Sequence, residues 1–245
     1  LHQNAIPVFA DVNRNTSLID PKQVEAKITS RTRAILPVHM YGHPVDMTAI
    51  MRIATRHGLA VVEDCSQAHG ATWKGVGVGN FGHASGFSCM GGKQLGATEA
   101  GYMVTPDQDV YWHACLQCQH NARSTEPGFS DALRPYIDSL LYTQRITAVD
   151  AALLTEQLKK LPALNETRLD YVRLLNDSLS GYKFLRTPPS CGHTPACSSC
   201  VSSYYVYPLR YLPEAMEMPR EKFVEAVNAE GAKFYQGYVQ PLYMQ

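Results

Sequence analysis

The chain has 245 residues, 45% hydrophobic and 18% charged, with a formal net charge of +0. That composition builds a core and excludes a disordered chain, and the balanced charge offers no broad basic field for nucleic acid or an anionic membrane. No apolar run reaches the roughly 20 residues that span a bilayer, and Leu1-His-Gln-Asn4 lacks the basic start and apolar stretch of a signal peptide, so the expected location is cytoplasmic.

Pro7 to Val12 is predicted as a strand, and Asp20 to Ile28 as a short helix with Asp20 as its cap and Pro21 in its first turn. Thr32 to His39 is a second, buried strand. Asp46 caps the next helix, in which Met47, Ile50, Met51 and Ala54 fall at i, i+3, i+4 and i+7 and build one apolar face. Gly58 stops it, and Leu59 to Val62 follows as another buried strand. Strand, helix and strand at these short intervals imply parallel βαβ units. Trp73 to Phe81 forms a hairpin; its glycines lack the third spacing and the following helix of a dinucleotide site. Ala84 to Ser88 is the next strand, Gly91 and Gly92 permit a sharp turn, and Gly101 to Thr105 returns as a strand.

A helix is predicted from Asp109 to Cys118, then a loop from 121 to 138 of the kind that carries function. Thr147 to Lys160 is helical, Pro162 is expected to interrupt, and Glu166 to Leu179 resumes. After a Pro-rich loop at 187 to 195, Ser202 to Arg210 alternates like a strand and Arg220 to Glu230 is an amphipathic helix closed by Gly231. Seven cysteines are too few and scattered for a disulfide framework. Cys115 and Cys118 have the spacing of half a zinc site, but zinc needs about four ligands. Cys191, His193, Cys197 and Cys200 complete one only if the two segments meet, and they lie in a Pro-rich loop. No metal is expected, and Cys65, Cys89, Cys115 and Cys118 are read as reduced thiols.

Asp64 directly follows a buried strand, and open parallel sheets bind ligands beyond the carboxyl ends of their strands. Lys93 ends the glycine-rich run Phe87-Ser-Cys-Met-Gly-Gly-Lys93. Pyridoxal 5'-phosphate (PLP) needs an amine for its imine, an acid to keep its ring nitrogen protonated and small polar groups for its phosphate. Lys93, Asp64, Gln67 and Ser88 supply that set.

Glu63-Asp-Cys-Ser-Gln-Ala-His-Gly70, Gly86-Phe-Ser-Cys-Met-Gly-Gly-Lys93, Thr98-Glu-Ala-Gly101 and the upstream Ile35-Leu-Pro-Val-His-Met-Tyr-Gly42 resemble the PLP-dependent sugar aminotransferases of the DegT/DnrJ/StrS type. The resemblance runs over nearly the whole chain. It implies an α/β fold, a three-layer sandwich on a mainly parallel sheet, with residues 1–160 in a large PLP-binding domain. Residues 161–245 would begin a smaller α+β C-terminal domain. It further implies that Lys93 forms the imine and moves the proton, that Asp64 pairs with the ring nitrogen, and that Gln67 meets the phenolic oxygen and Ser88 the phosphate. Arg145 and Thr143 would reach the cofactor across a homodimer with shared sites. Thr143 stands where the family commonly has Asn, Ala148 where it has an acid, and Ala100 where it has glycine.

The segment from Gly237 to Tyr243 resembles the pocket side of members that aminate keto-cyclitols or keto-sugars, which assigns Tyr243, with His43, to the substrate; His39 and His69 also lie near strand ends. The family's N-terminal Gly-Thr phosphate turn and stacking aromatic find no match, and the small domain is incomplete, so the chain is expected to be truncated at both ends. The expected reaction moves an amino group from glutamate or glutamine to a nucleotide-linked keto-sugar or a keto-cyclitol. Dehydration on the same scaffold and a catalytically silent partner subunit are the alternatives.

Overall fold

In the computed structural model, residues 4–119, 121–138, 142, 144–189 and 199–237 are described. Helix α1 (Pro21–Lys27) starts as its cap requires, with the Asp20 carboxylate accepting from the Lys22 N–H at 2.9 Å. Strand β1 is confined to Ala34–Ile35, shorter than the expected run to His39, because Pro37 has no N–H with which to continue a ladder. Pairing resumes at an isolated parallel bridge from Val38 to Asp64. Helix α2 (Met47–His57) is bounded by the Asp46 carboxylate, 2.9 Å from the Ala49 N–H, and by Gly58 at φ 62°. A left-handed residue there costs glycine nothing.

Strand β2 (Ala60–Asp64) is followed by the small hairpin of β3 (Thr72–Trp73) and β4 (Val76–Gly77), then by β5 (Ala84–Ser88) and β6 (Gly101–Val104). The main sheet has the order β1-β2-β5-β6. β1–β2 and β2–β5 are parallel, and β6 returns antiparallel on β5. Helix α2 packs on the face that carries Ile35 and Val61, joining them to Val45, Met47, Ile50 and Ile53 in the largest apolar cluster. Side chains alternate across a strand, so Val62, Asp64, Gly86 and Met103 share the opposite face, where Val62 and Met103 are exposed.

Helix α3 (Gln108–Gln119) packs Trp112, Cys115 and Leu116 against Phe129 and Leu133. Helix α4 (Ala148–Leu179) begins at the Thr147 cap and runs through Pro162 without a break. This corrects the expected interruption. Proline removes one helical hydrogen bond, that to the Leu158 carbonyl, but Leu158 is exposed, and Leu161 and Val172 continue the buried seam on both sides. The 160/161 domain boundary therefore falls inside one helix. Strands β7 (Leu185–Arg186) and β8 (Arg210–Tyr211) pair antiparallel, and helix α5 (Arg220–Ala229) packs Phe223 on Tyr211, with ring centroids 4.5 Å apart.

Two expected strands are absent. Residues 7–12 form only the bridge from Val12 to Ile19, and Ile6, Val8 and Phe9 are exposed; alternation alone makes no strand without a neighbour to pair with. Residues 202–209 bend instead of extending, since Tyr204 has φ 46° and Pro208 cannot donate to a ladder. Cys65, Cys89, Cys115 and Cys118 are free thiols, as expected, whereas Cys200 is disulfide-bonded. Cys191, His193 and Cys197 lie outside the described residues. No helix among the described residues is long and apolar enough to cross a membrane.

Candidate active site

β2 and β5 are neighbours in register, Asp64 facing Gly86, so the carboxylate and Ser88 stand at the C-terminal tips of adjacent parallel strands, on one face of the sheet. Asp64 is half-buried, and its Oδ1 accepts the Ser66 N–H at 2.9 Å, which fixes the side chain and leaves Oδ2 for a ligand. A Cβ built on Gly86 would meet nothing within 4 Å. The space between Asp64 and Ser88 is open.

Gln67 lies in the loop after β2, and its Oε1 accepts the Tyr41 N–H at 2.8 Å. That bond orients the amide so that Nε2 is left to donate. Lys93 closes a turn by donating its N–H to the Met90 carbonyl at 2.8 Å, and its ammonium sits 4.8 Å from the centre of the Tyr205 ring. His69 is buried, with Nε2 4.0 Å from the Cys89 sulfur and no hydrogen-bond partner for Nδ1. Burial, with the nearby charge of Lys93, pushes its imidazole down to about 4, so it is neutral near pH 7.

The other face of the β2 tip holds a buried polar network that the sequence reading missed. Val45 donates its N–H to His39 Nδ1 at 3.0 Å, so the ring proton lies on Nε2, 3.1 Å from Glu63 Oε2. The same carboxylate accepts the N–H groups of Gly79, Phe81 and Gly82 at 2.7 to 2.8 Å. Burial raises the Glu63 pKa, but the bonds from His39, Gly82, Gly79 and Phe81 together hold it below the ordinary value. His39, Glu63 and Cys65 place their donor atoms within 4.8 Å of one another. His39 and Glu63 already spend theirs on protein hydrogen bonds, and burial and the charges of Glu63 and Asp64 hold the Cys65 thiol strongly in its protonated form.

Helix α4 braces the loops from outside. Asp150 accepts the Thr98 N–H and hydroxyl at 3.1 and 2.8 Å, Gln157 donates to the Gly96 carbonyl at 3.0 Å, and Asn165 donates to the His69 carbonyl at 2.9 Å. The bonds from Thr98 and Thr147 hold the Asp150 carboxyl below its ordinary pKa.

Of the residues singled out from the sequence, Asp64 and Ser88 share one face at the tips of neighbouring strands, Gln67 lies in the loop after β2 against Tyr41, and Lys93 lies in the turn after β5 against the Tyr205 ring. Arg145 is exposed in the stretch entering α4. His43 is buried, its Nε2 2.6 Å from the Pro189 carbonyl oxygen and its ring edge-on to Tyr204, which gives it a task in holding chain segments together. Thr143 and Tyr243 lie outside the described residues. A cleft of about 630 Å³ opens at the opposite, N-terminal ends of β1 and β2, beside Arg33, His57 and Leu59, away from this chemistry.

The model of the DegT/DnrJ/EryC1/StrS aminotransferase family matches residues 1–245. A putative L-glutamine:3-amino-2,3-dideoxy-scyllo-inosose aminotransferase of Streptoalloteichus tenebrarius is 35% identical over 239 residues, covering 96% of this chain and 54% of the relative. An L-glutamine:2-deoxy-scyllo-inosose aminotransferase of Streptomyces fradiae is 37% identical over 234 residues, covering 93% and 53%. Among solved structures, the Escherichia coli GDP-4-keto-6-deoxy-D-mannose-3-dehydratase with bound hydrated PLP superimposes with a TM-score of 0.78 at 25% identity, over 92% of this chain and 58% of that one. The chain spans about half the length of the curated relatives it matches.

Proposed function

The chain belongs to the DegT/DnrJ/EryC1/StrS aminotransferase family, and on that premise we propose that it is a PLP-dependent aminotransferase transferring the amino group of glutamine or glutamate to a keto-cyclitol. The observation that carries this reading is the pairing of Asp64 with open-faced Gly86, Ser88 and Lys93 following on the same strand and turn. The names of the relatives favour a keto-cyclitol of the scyllo-inosose type over a nucleotide-linked sugar. The reading includes a homodimer in which Arg145 and Thr143 serve the partner's site, Tyr243 facing the substrate, a cytoplasmic location, and a division of labour between residues 1–160 and 161–245.

The donor set fits the cofactor. A carboxylate with one oxygen spare and a strand-end hydroxyl stand on one face beside a space that glycine leaves open, and the loop after β2 and the turn after β5 carry an amide with a free N–H₂ and a primary amine. When bound, PLP supplies an aldehyde for amine exchange and a ring that withdraws electrons from the carbon losing its proton. Asp64 would hold the proton on the ring nitrogen, and a carboxylate whose Oδ1 is already fixed would do so without rearranging. Gln67 Nε2 would donate to the phenolic oxygen, and Ser88 would hold a phosphate oxygen. Lys93 provides the amine that anchors the aldehyde. The freed Lys93 amine would take the donor's α-proton and hand it on, and in the second half of the cycle it would return a proton to the acceptor carbon.

The test is spectroscopic and needs no substrate at first. Incubation with PLP followed by borohydride should fix the cofactor on the Lys93 peptide, and Lys93→Ala should abolish that label. Unaltered labelling of the Lys93→Ala chain would remove Lys93 from its role. With the label in hand, L-glutamine should bleach the imine absorbance, and 2-deoxy-scyllo-inosose should restore it.

A further inference from the structure

Tyr205 is separated from Lys93 by more than a hundred residues in the chain, yet four independent restraints bring its ring to the amine. The Tyr205 N–H donates to the Tyr41 carbonyl at 2.9 Å, and the Ser203 N–H to the Gly42 carbonyl at 2.9 Å. From the other side, Gln94, the residue next to Lys93, donates from Nε2 to the Ser203 carbonyl at 2.6 Å. Tyr41 is itself held by Gln67. The approach of the two segments is so close that a Cβ on Gly42 would lie 2.7 Å from both Ser203 Oγ and the Tyr204 nitrogen. Tyr41 and Tyr204 take the left-handed region at φ 61° and 46°, a conformation that L side chains hold only where their surroundings impose it. Strain, close packing and hydrogen bonds converge on one outcome, a tyrosine ring 4.8 Å from the lysine ammonium. That distance lies within the range of about 6 Å over which a ring face attracts a cation.

We infer that Tyr205 is a positioning residue for Lys93: its ring face sets where the amine waits and so how often it meets an incoming carbonyl at the strand tips. The inference rests on the reading of Lys93 as the PLP-anchoring amine. Tyr205 acts through Lys93 and not on the substrate. Its hydroxyl is not required for this, whereas the ring is. The contact also joins the C-terminal half of the chain to the Lys93 turn, since the Ser203 carbonyl accepts from Gln94 and Tyr205 faces the Lys93 ammonium.

The experiment uses the full 245-residue chain with PLP and borohydride, quantifying the label on the Lys93 peptide by mass against a surface reference, Lys74. Tyr205→Leu should lower the initial rate of Lys93 labelling on the order of tenfold, equivalent to about 1.4 kcal/mol, while leaving Lys74 labelling and thermal melting unchanged. Tyr205→Phe should restore the wild-type rate, a rescue that loss of mere packing at the hydroxyl would not produce. Equal Lys93 labelling in the wild type and Tyr205→Leu overturns the inference alone, and so does a Tyr205→Phe chain as slow as Tyr205→Leu. A wild-type label absent from Lys93 overturns the cofactor reading and the inference with it. If Tyr205→Leu does not fold, Tyr205→Met, flexible enough to fill the space, takes its place under the same criteria.

Discussion

Glu63 and Asp64 are neighbouring carboxylates at the tip of one strand, and they live in opposite surroundings. Glu63 is fully enclosed and saturated by His39 and three backbone N–H groups. Asp64, one residue on and therefore on the other face, is half-buried and spends one oxygen on the Ser66 N–H. The difference separates a carboxylate that holds the fold from one kept available for chemistry. Glu63 ties the β4–β5 connection to the strand, which fixes the floor on which Asp64 stands. Its charge is compensated locally, so nothing remains for a ligand. Asp64 keeps the unspent valence.

Removing Glu63 should produce the largest effect on stability. Glu63→Ala strands three N–H donors and His39 in a buried site, a loss of about 3–5 kcal/mol by the measure of other broken buried pairs. Urea unfolding checks this, and a loss below about 1 kcal/mol would erase the contrast between the two residues. Asp64→Asn should invert the pattern. Its urea midpoint stays near the wild type, while the donor half-reaction slows on the order of 10²-fold, seen as slower bleaching of the bound cofactor by L-glutamine. Equal bleaching rates would reduce Asp64 to a turn residue.

The smallest expected effect is a matter of pH. The imidazole of His69 lies near 4 in the folded chain against 6.5 when exposed, so below 6.5 the unfolded chain takes up a proton that the folded one refuses. Its contribution is complete above pH 6.5 and declines as pH falls toward 4, by about 1 kcal/mol per unit. Glu63, with its pKa depressed from 4.5, follows the same sign at lower pH: stability is present above 4.5 and lost as pH falls through its folded value. His69→Phe should therefore flatten the slope of stability between pH 6.5 and about 4.5 and leave the steeper acid limb in place. An unchanged slope in that variant would assign the window to other groups.

Lys93, Ser88, Asp64 and Gln67, the residues proposed for the cofactor, could be singled out from the sequence because their relations are local. They sit within one strand-turn-strand stretch whose glycines and alternation mark where the strands end. Glu63 was passed over although it stands beside Asp64, since its partners are His39 and the backbone of residues 79 to 82, and backbone donors leave no mark on a sequence. Tyr205 was read as part of a strand. Apolar alternation reports which side chains face inward and says nothing of whether a neighbouring strand waits to pair, a weakness that also misplaced residues 7–12. Pro162 shows the same limit from the other direction. A local rule that breaks helices lost to a seam of contacts made by Leu161 and Val172.

Helix α4 has 32 residues, about 48 Å at about 1.5 Å each. Asp150, Gln157 and Asn165 touch the Lys93 turn at Thr98 and Gly96 and the loop after β2 at His69, and farther along Asn176 accepts the Tyr207 hydroxyl at 2.6 Å. Three stretches of chain around the proposed site are thus registered against a single helix. In the language of machining, the helix is their common datum: the amine, the loop behind the acid and the segment bearing Tyr205 are each located once from the same reference, so their placement errors do not accumulate from part to part.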